Sequence, residues 1–96
     1  MRVYNISDTS ENICDCGSWL DHWERFSGRI ANYCSVNSCL GKAEVGAHIQ
    51  KSGNLDKKWY VVPFCKGCNA KNGVFLDISD ATTLVSANVD ETCGRA

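Results

Sequence analysis

Two short cysteine pairs constrain this chain more than any other feature. Cys34 and Cys39 enclose four residues in CSVNSC, and Cys65 and Cys68 enclose two in CKGC. Either gap lets one tight turn aim two thiolates at a single tetrahedral ion, so the spacing predicts a four-cysteine structural zinc site. Four cysteines seldom fall into two ligand-spaced pairs when they serve only as small buried apolar residues.

Length makes such a staple useful. Ninety-six residues form one domain, 1–96, whose apolar burial alone leaves little stability in reserve. The cysteine total is seven, an odd number that argues against a framework made only of disulfides. The opening MRVYNISDTSEN lacks the apolar core of a signal peptide, and no run approaches a membrane span, so the chain reads as soluble, intracellular and cytoplasmic, with no membrane partner. In that setting closely spaced cysteines are more often metal ligands than disulfides.

The formal net charge of −1 gives no sign of a broadly basic surface, but its distribution is uneven. Residues 34–73 hold six Lys against two acids, whereas residues 1–33 and 74–96 are both net acidic. The Lys-bearing region 42–71 is therefore the candidate contact for DNA or RNA, against the plainer reading of a solvated basic hairpin or a protein-binding face.

Element signals are local. In SWLDHWERF, Trp19, Leu20, Trp23 and Phe26 form the apolar stripe of a short helix over Ser18–Phe26, with Ser18 as its cap and Gly28 as its stop. Val45–Gln50 and Trp59–Val62 read as a hairpin around a polar loop, and Pro63 is expected to keep Phe64 out of a central strand. Cys65–Asn72 reads as a metal-binding turn leading into a short helix that ends at Gly73. Val74–Ile78 and Thr83–Ala87 read as strands, and residues 1–13 as a loose arm with a short strand at Arg2–Ile6. Trp19, Trp23, Trp59 and Tyr60 suit a core; exposed, they would stack on bases.

A cysteine pair, a β-hairpin and a second pair opening a helix follow the order of a treble clef. YCSVNSCLGKAEVGAHI followed by VVPFCKGCNAK resembles the zinc-stabilised HNH endonuclease family over residues 33–73. The resemblance implies an α+β fold: a small zinc-binding domain with a treble-clef ββα core, to which the N-terminal amphipathic helix is added, flanked by 14–28 and 74–96. It also implies His48 as general base and Asn69 as a ligand of a catalytic divalent ion such as Mg²⁺. Two positions depart from the family pattern. Ala47 stands where the family places a metal-binding Asp or His, and Trp59–Val62 fill the place of an orienting Asn. One carboxamide is a weak site for a hard cation. His48 then reads as a structural or binding-site histidine, and Asn69 as a local cap of its helix or of the zinc loop.

The remaining cysteines suggest a second site. Cys14 and Cys16 in ICDCGSW, His22 on the following helix and Cys93 near the far terminus can supply three thiolates and an imidazole to a second zinc ion, with His48 as another candidate fourth ligand. The alternative is a satisfied core histidine beside free or redox-paired terminal thiols. The expected function is thus a catalytically degenerate, HNH-like module with one or two structural zinc ions that contacts nucleic acid or a protein. The alternatives are a divalent-metal-dependent DNA endonuclease and a purely structural or protein-interaction domain.

Overall fold

Alternation along the hairpin strands divides the molecule into two apolar layers. The computed structural model describes residues 1–6, 16–53, 58–71, 73–88 and 92. Its elements are β1 (Arg2–Asn5), α1 (Trp19–Ser27), β2 (Val45–Lys51), β3 (Tyr60–Phe64), α2 (Lys66–Asn69), β4 (Phe75–Asp77) and β5 (Val85–Ser86). The strands form one antiparallel sheet in the order β4-β1-β2-β3-β5.

The β2–β3 ladder pairs Val45 with Phe64, Ala47 with Val62 and Ile49 with Tyr60. Because side chains alternate across a strand, these residues share one face. There Ala47, Ile49, Val62 and Phe64 join Val3, Ile78, Cys34 and Cys68 in the larger buried cluster. Phe64, Ile49 and Ile78 are fully enclosed, and each contributes about 1.5–3 kcal/mol of apolar burial. On the opposite face Val61 and Val85 meet Trp23 of α1, with Trp19 packed beside them.

Helix α1 is set by its ends. The Ser18 Oγ accepts the Asp21 amide at 3.0 Å, and Gly28, at φ 70°, returns its amide to the Glu24 carbonyl. The inward stripe is not the one the apolar residues alone suggest. His22 and Trp23 are the buried residues of α1, while Phe26 lies at the exposed rim. The Trp23 indole N–H donates to the Thr83 carbonyl at 2.8 Å, which ties the helix to the approach to β5.

Three expectations need correction. The short strand expected at Arg2–Ile6 is present as β1, but it does not belong to a loose arm: it lies inside the sheet between β4 and β2, and both Val3 and Asn5 are fully buried. Phe64 does continue β3, because β5 pairs only as far as Val61. Pro63 therefore faces no β5 partner that would need its missing N–H, and its carbonyl accepts the Ser35 amide at 2.9 Å instead. The helix after Cys65 is one turn, capped at Ala70, and stops short of Gly73.

Gly46 permits the close approach of helix to sheet. A Cβ there would lie 2.6 Å from the Trp19 carbonyl oxygen and 2.7 Å from the Leu20 amide nitrogen, both backbone atoms that cannot swing aside. Gly46→Ala should therefore lower unfolding stability by about 2–3 kcal/mol, read as a fall in the midpoint of chemical or thermal denaturation. Wild-type stability in that variant would show that α1 does not seat on β2.

Candidate metal centre

The first cysteine pair is carried by a turn bound to the sheet at three points. The Cys34 amide donates to the Gly41 carbonyl and the Cys39 amide to the Val36 carbonyl, while Ser38 takes a left-handed conformation at φ 66° to close the turn. Tyr33 pairs with Lys42 across its base and Val36 with Ile78 at its crown. The Ser35 amide bonds to Pro63 and the Asn37 amide to Asp77, so the turn rests on the ends of both β3 and β4.

The second pair follows directly from β3. Cys65 is the cap of α2, its backbone extended at φ −75° and ψ 161°, and its sulfur accepts the Cys68 amide at 3.3 Å. The Lys66 amide donates to a Glu44 carboxylate oxygen at 3.0 Å, which links this turn to the lead-in of β2.

The two turns bring the Sγ atoms of Cys34, Cys39, Cys65 and Cys68 within 4.8 Å of one another, a group that can hold a metal ion. The Cys39 sulfur stands 3.8 Å from those of both Cys65 and Cys68. Tetrahedral zinc–thiolate bonds of about 2.3 Å give a sulfur–sulfur edge of about 3.8 Å. A disulfide needs about 2.05 Å, and Cys34, Cys39, Cys65 and Cys68 are not joined in one. Burial pushes the Cys34 and Cys68 thiols up, whereas the Cys68 amide bonded to the Cys65 sulfur pulls that thiol down. Four thiolates this close to an apolar core need a cation to offset their charge and lost hydration.

Comparisons with protein-family models, curated proteins and solved structures gave no match. The chemistry must therefore be read from the residues themselves.

The proposed catalytic pair does not converge. His48 projects from β2 on the α1 side, whereas its chain neighbours Ala47 and Ile49 point to the cysteine side. It is 4 % exposed, with the Trp19 ring edge-on at 4.4 Å and Trp59 at 6.3 Å. Asn69 sits on α2 beside the four sulfurs, and its carbonyl accepts the Asn5 side-chain amide at 3.0 Å. The sheet separates the two residues.

Of the other expected cluster, Cys16 and His22 are adjacent, with the Cys16 sulfur 3.7 Å from His22 Nδ1. Cys14 and Cys93 lie outside the described residues.

Two supporting residues escaped sequence reasoning. The fully buried Asn5 donates its side-chain amide to the carbonyls of both Asn69 and Lys71, pinning the far end of α2 to the inner strand β1. Its signal was slight: a polar residue two positions after Val3, on the inward side of a short strand. Gly41 allows the first turn to lie against the second, since a Cβ there would be 3.3 Å from the Cys65 Cβ and 3.4 Å from the Cys39 sulfur.

Burial, with a smaller repulsion from His22, pulls the His48 imidazole down from 6.5 to about 4. The unfolded chain therefore takes up this proton before the folded one does. Stability from a neutral His48 is complete above pH 6.5 and falls as pH drops towards 4, at about 1.4 kcal/mol per unit of pH. Wild type and His48→Gln, compared by chemical denaturation, should show a stability difference that shifts against the wild type by up to about 3 kcal/mol across this window. A constant difference would mean that His48 is hydrated in the folded state.

Proposed function

We propose that this chain is a structural-zinc module built on an HNH-like treble-clef frame, without nuclease activity, and that its Lys-bearing region contacts nucleic acid. The observation that carries the metal reading is the four sulfurs within 4.8 Å, delivered by two independent turns. Zinc fits an all-thiolate set better than calcium or magnesium, which prefer oxygen ligands. A closed set of four protein ligands also suits a structural ion, since a catalytic zinc keeps a position for water or substrate.

Burial of His48 behind Trp19, on the opposite side of the sheet from Asn69, supports the loss of nuclease chemistry. A general base must come within about 3 Å of the water it activates. Ala47 adds no oxygen ligand beside it.

Metal content tests the first part. Native mass spectrometry of protein purified without chelator should show at least one zinc per chain, and Cys39→Ser or Cys65→Ser should lose that ion and unfold at a lower denaturant concentration. A wild-type protein free of metal, and equally stable with excess chelator, would overturn the structural-zinc reading. Plasmid nicking with Mg²⁺ or Mn²⁺ that disappears in His48→Ala would restore the nuclease.

For the partner, Lys42, Lys58, Lys66 and Lys71 are exposed, while Lys51 lies over the Tyr60 ring at 5.1 Å. If these exposed lysines meet phosphates, duplex DNA should bind with a slope of log affinity against log salt no steeper than about −4. Replacing Lys66 with Ala should reduce the slope by about 1. Absent or salt-independent binding would point to a protein partner instead.

A further inference from the structure

We propose that the cleft between residues 29–35 and 79–83 seats one unpaired base of a single-stranded nucleic acid, stacked on Tyr33, with the adjoining phosphates on Arg29 and Lys42. This rests on the nucleic-acid reading above and names the form of the strand. The cleft measures about 310 Å³, and its lining includes Arg29, Ile30, Tyr33, Ser35, Pro63 and Thr82. That is the lower end of the roughly 300–1,000 Å³ typical of ligand sites, room for one flat ring system and not for a helix.

The walls are fixed by their own hydrogen bonds. The Ala31 amide donates to a Glu24 carboxylate oxygen at 2.7 Å, the Ala43 amide donates to the Asn32 carbonyl at 3.1 Å, and Tyr33 pairs with Lys42 across the base of the cysteine turn. On the other wall the Ser79 amide donates to the Ser35 carbonyl and the Thr82 amide to the Ser79 carbonyl, while the Thr83 carbonyl holds the Trp23 indole. The cleft thus lies between the link from α1 and the approach to β5, beside Cys34.

These walls carry an aromatic ring, a cation and several hydroxyls. Tyr33 is 70 % exposed, and its ring has no aromatic or cationic partner among the described residues. Arg29 is the one charged residue of the lining, and it makes no ion pair among the described residues. The hydroxyls of Ser35, Thr82 and Thr83 also have no hydrogen-bond partner among the described residues, although Ser35 is only 9 % exposed. Lys42 is exposed and stands opposite Tyr33 in their bridge, which puts its side chain on the same side as that ring.

Charge and shape select the ligand. Two cations beside an open aromatic ring match a chain that carries a negative charge on every phosphate and a π face on every base. The hydroxyls can donate to or accept from a base edge. Inside a duplex the faces of a base are covered by its neighbours, so stacking on Tyr33 requires an unpaired one. Lys66 continues the same basic surface, since Glu44, two residues from Lys42, accepts the Lys66 amide.

Fluorescence anisotropy with labelled oligothymidine, and with a duplex of equal length, tests the cleft. The wild type should bind the single strand more tightly, and Tyr33→Ala should weaken that binding about tenfold while leaving the duplex affinity unchanged. Tyr33→Phe should retain it, and Arg29→Ala should lower the slope of log affinity against log salt by about 0.7 for the single strand. Unchanged single-strand affinity in Tyr33→Ala, or an equal loss for both forms, would overturn the cleft and leave the nucleic-acid reading standing. No binding of either form would overturn both. A further readout needs no variant: the Tyr33 ring protons of the wild type should shift in NMR spectra as oligothymidine is added, and binding that leaves them unshifted would refute the assignment.

Discussion

Four sulfurs drawn to one point set the geometry of one whole side of this molecule. Cys34 and Cys68 belong at once to the four-cysteine group that can hold a metal ion and to the buried apolar layer formed by Ile49, Val62, Phe64 and Ile78. The ligand turns are therefore part of the core. Their backbones complete strand ends that would otherwise be unpaired: Ser35 on the Pro63 carbonyl, Asn37 on that of Asp77, and Glu44 on that of Phe64. A domain of this size has few apolar residues to spare, and a cation that binds four thiolates only in the folded state adds its binding free energy to folding.

The local features were legible because each rests on short-range chemistry. Ligand spacing identified Cys34, Cys39, Cys65 and Cys68; Ser18 and Gly28 lie at the two ends of α1; turn residues bracket β2 and β3. Long-range placement was not legible. Nothing in RVYN announces an inner strand, because its position depends on the hydrogen-bonding edges offered by β2 and β4, some 45 and 70 residues away. Phe64 was misplaced for the same reason: the cost of proline in a strand depends on the neighbour its nitrogen faces, and β5 ends before reaching it.

His48 shows how a motif can be read correctly in sequence and differently in space. In GAHI the histidine alternates with Ala47 and Ile49, and those two apolar residues are taken by the layer beneath the sulfurs. Period-two geometry then turns His48 to the far side, against Trp19. Asn69 is held on the sulfur side by α2 and by the amide of Asn5. No rotamer change brings the two residues together, because the barrier is the hydrogen-bonded sheet itself. For a nuclease that used both, either the register of β2 or the face on which α2 packs would have to change. A one-residue slip would turn Ile49 to the α1 side and put Gln50 into the apolar layer beneath the sulfurs, and that layer strongly opposes it.

The sheet therefore has two differently constructed faces. On one, the cysteine turns clamp β3 and β4; on the other, α1 lies so close to β2 that only glycine fits at position 46. Each face also brings a sulfur-bearing turn against its packed element, with Cys65 capping α2 and Cys16 preceding α1. Both turns adjoin the first residues of a helix, where unsatisfied amides and the positive end of the backbone dipole favour anionic sulfur. On the α1 face the chain from β5 supplies the Ser86 carbonyl to His22, so the helix, the sheet edge and the region of Cys16 are coupled through one imidazole. A change at that imidazole must therefore be felt both in the seating of α1 and in the last strand, even though β5 itself has only two residues.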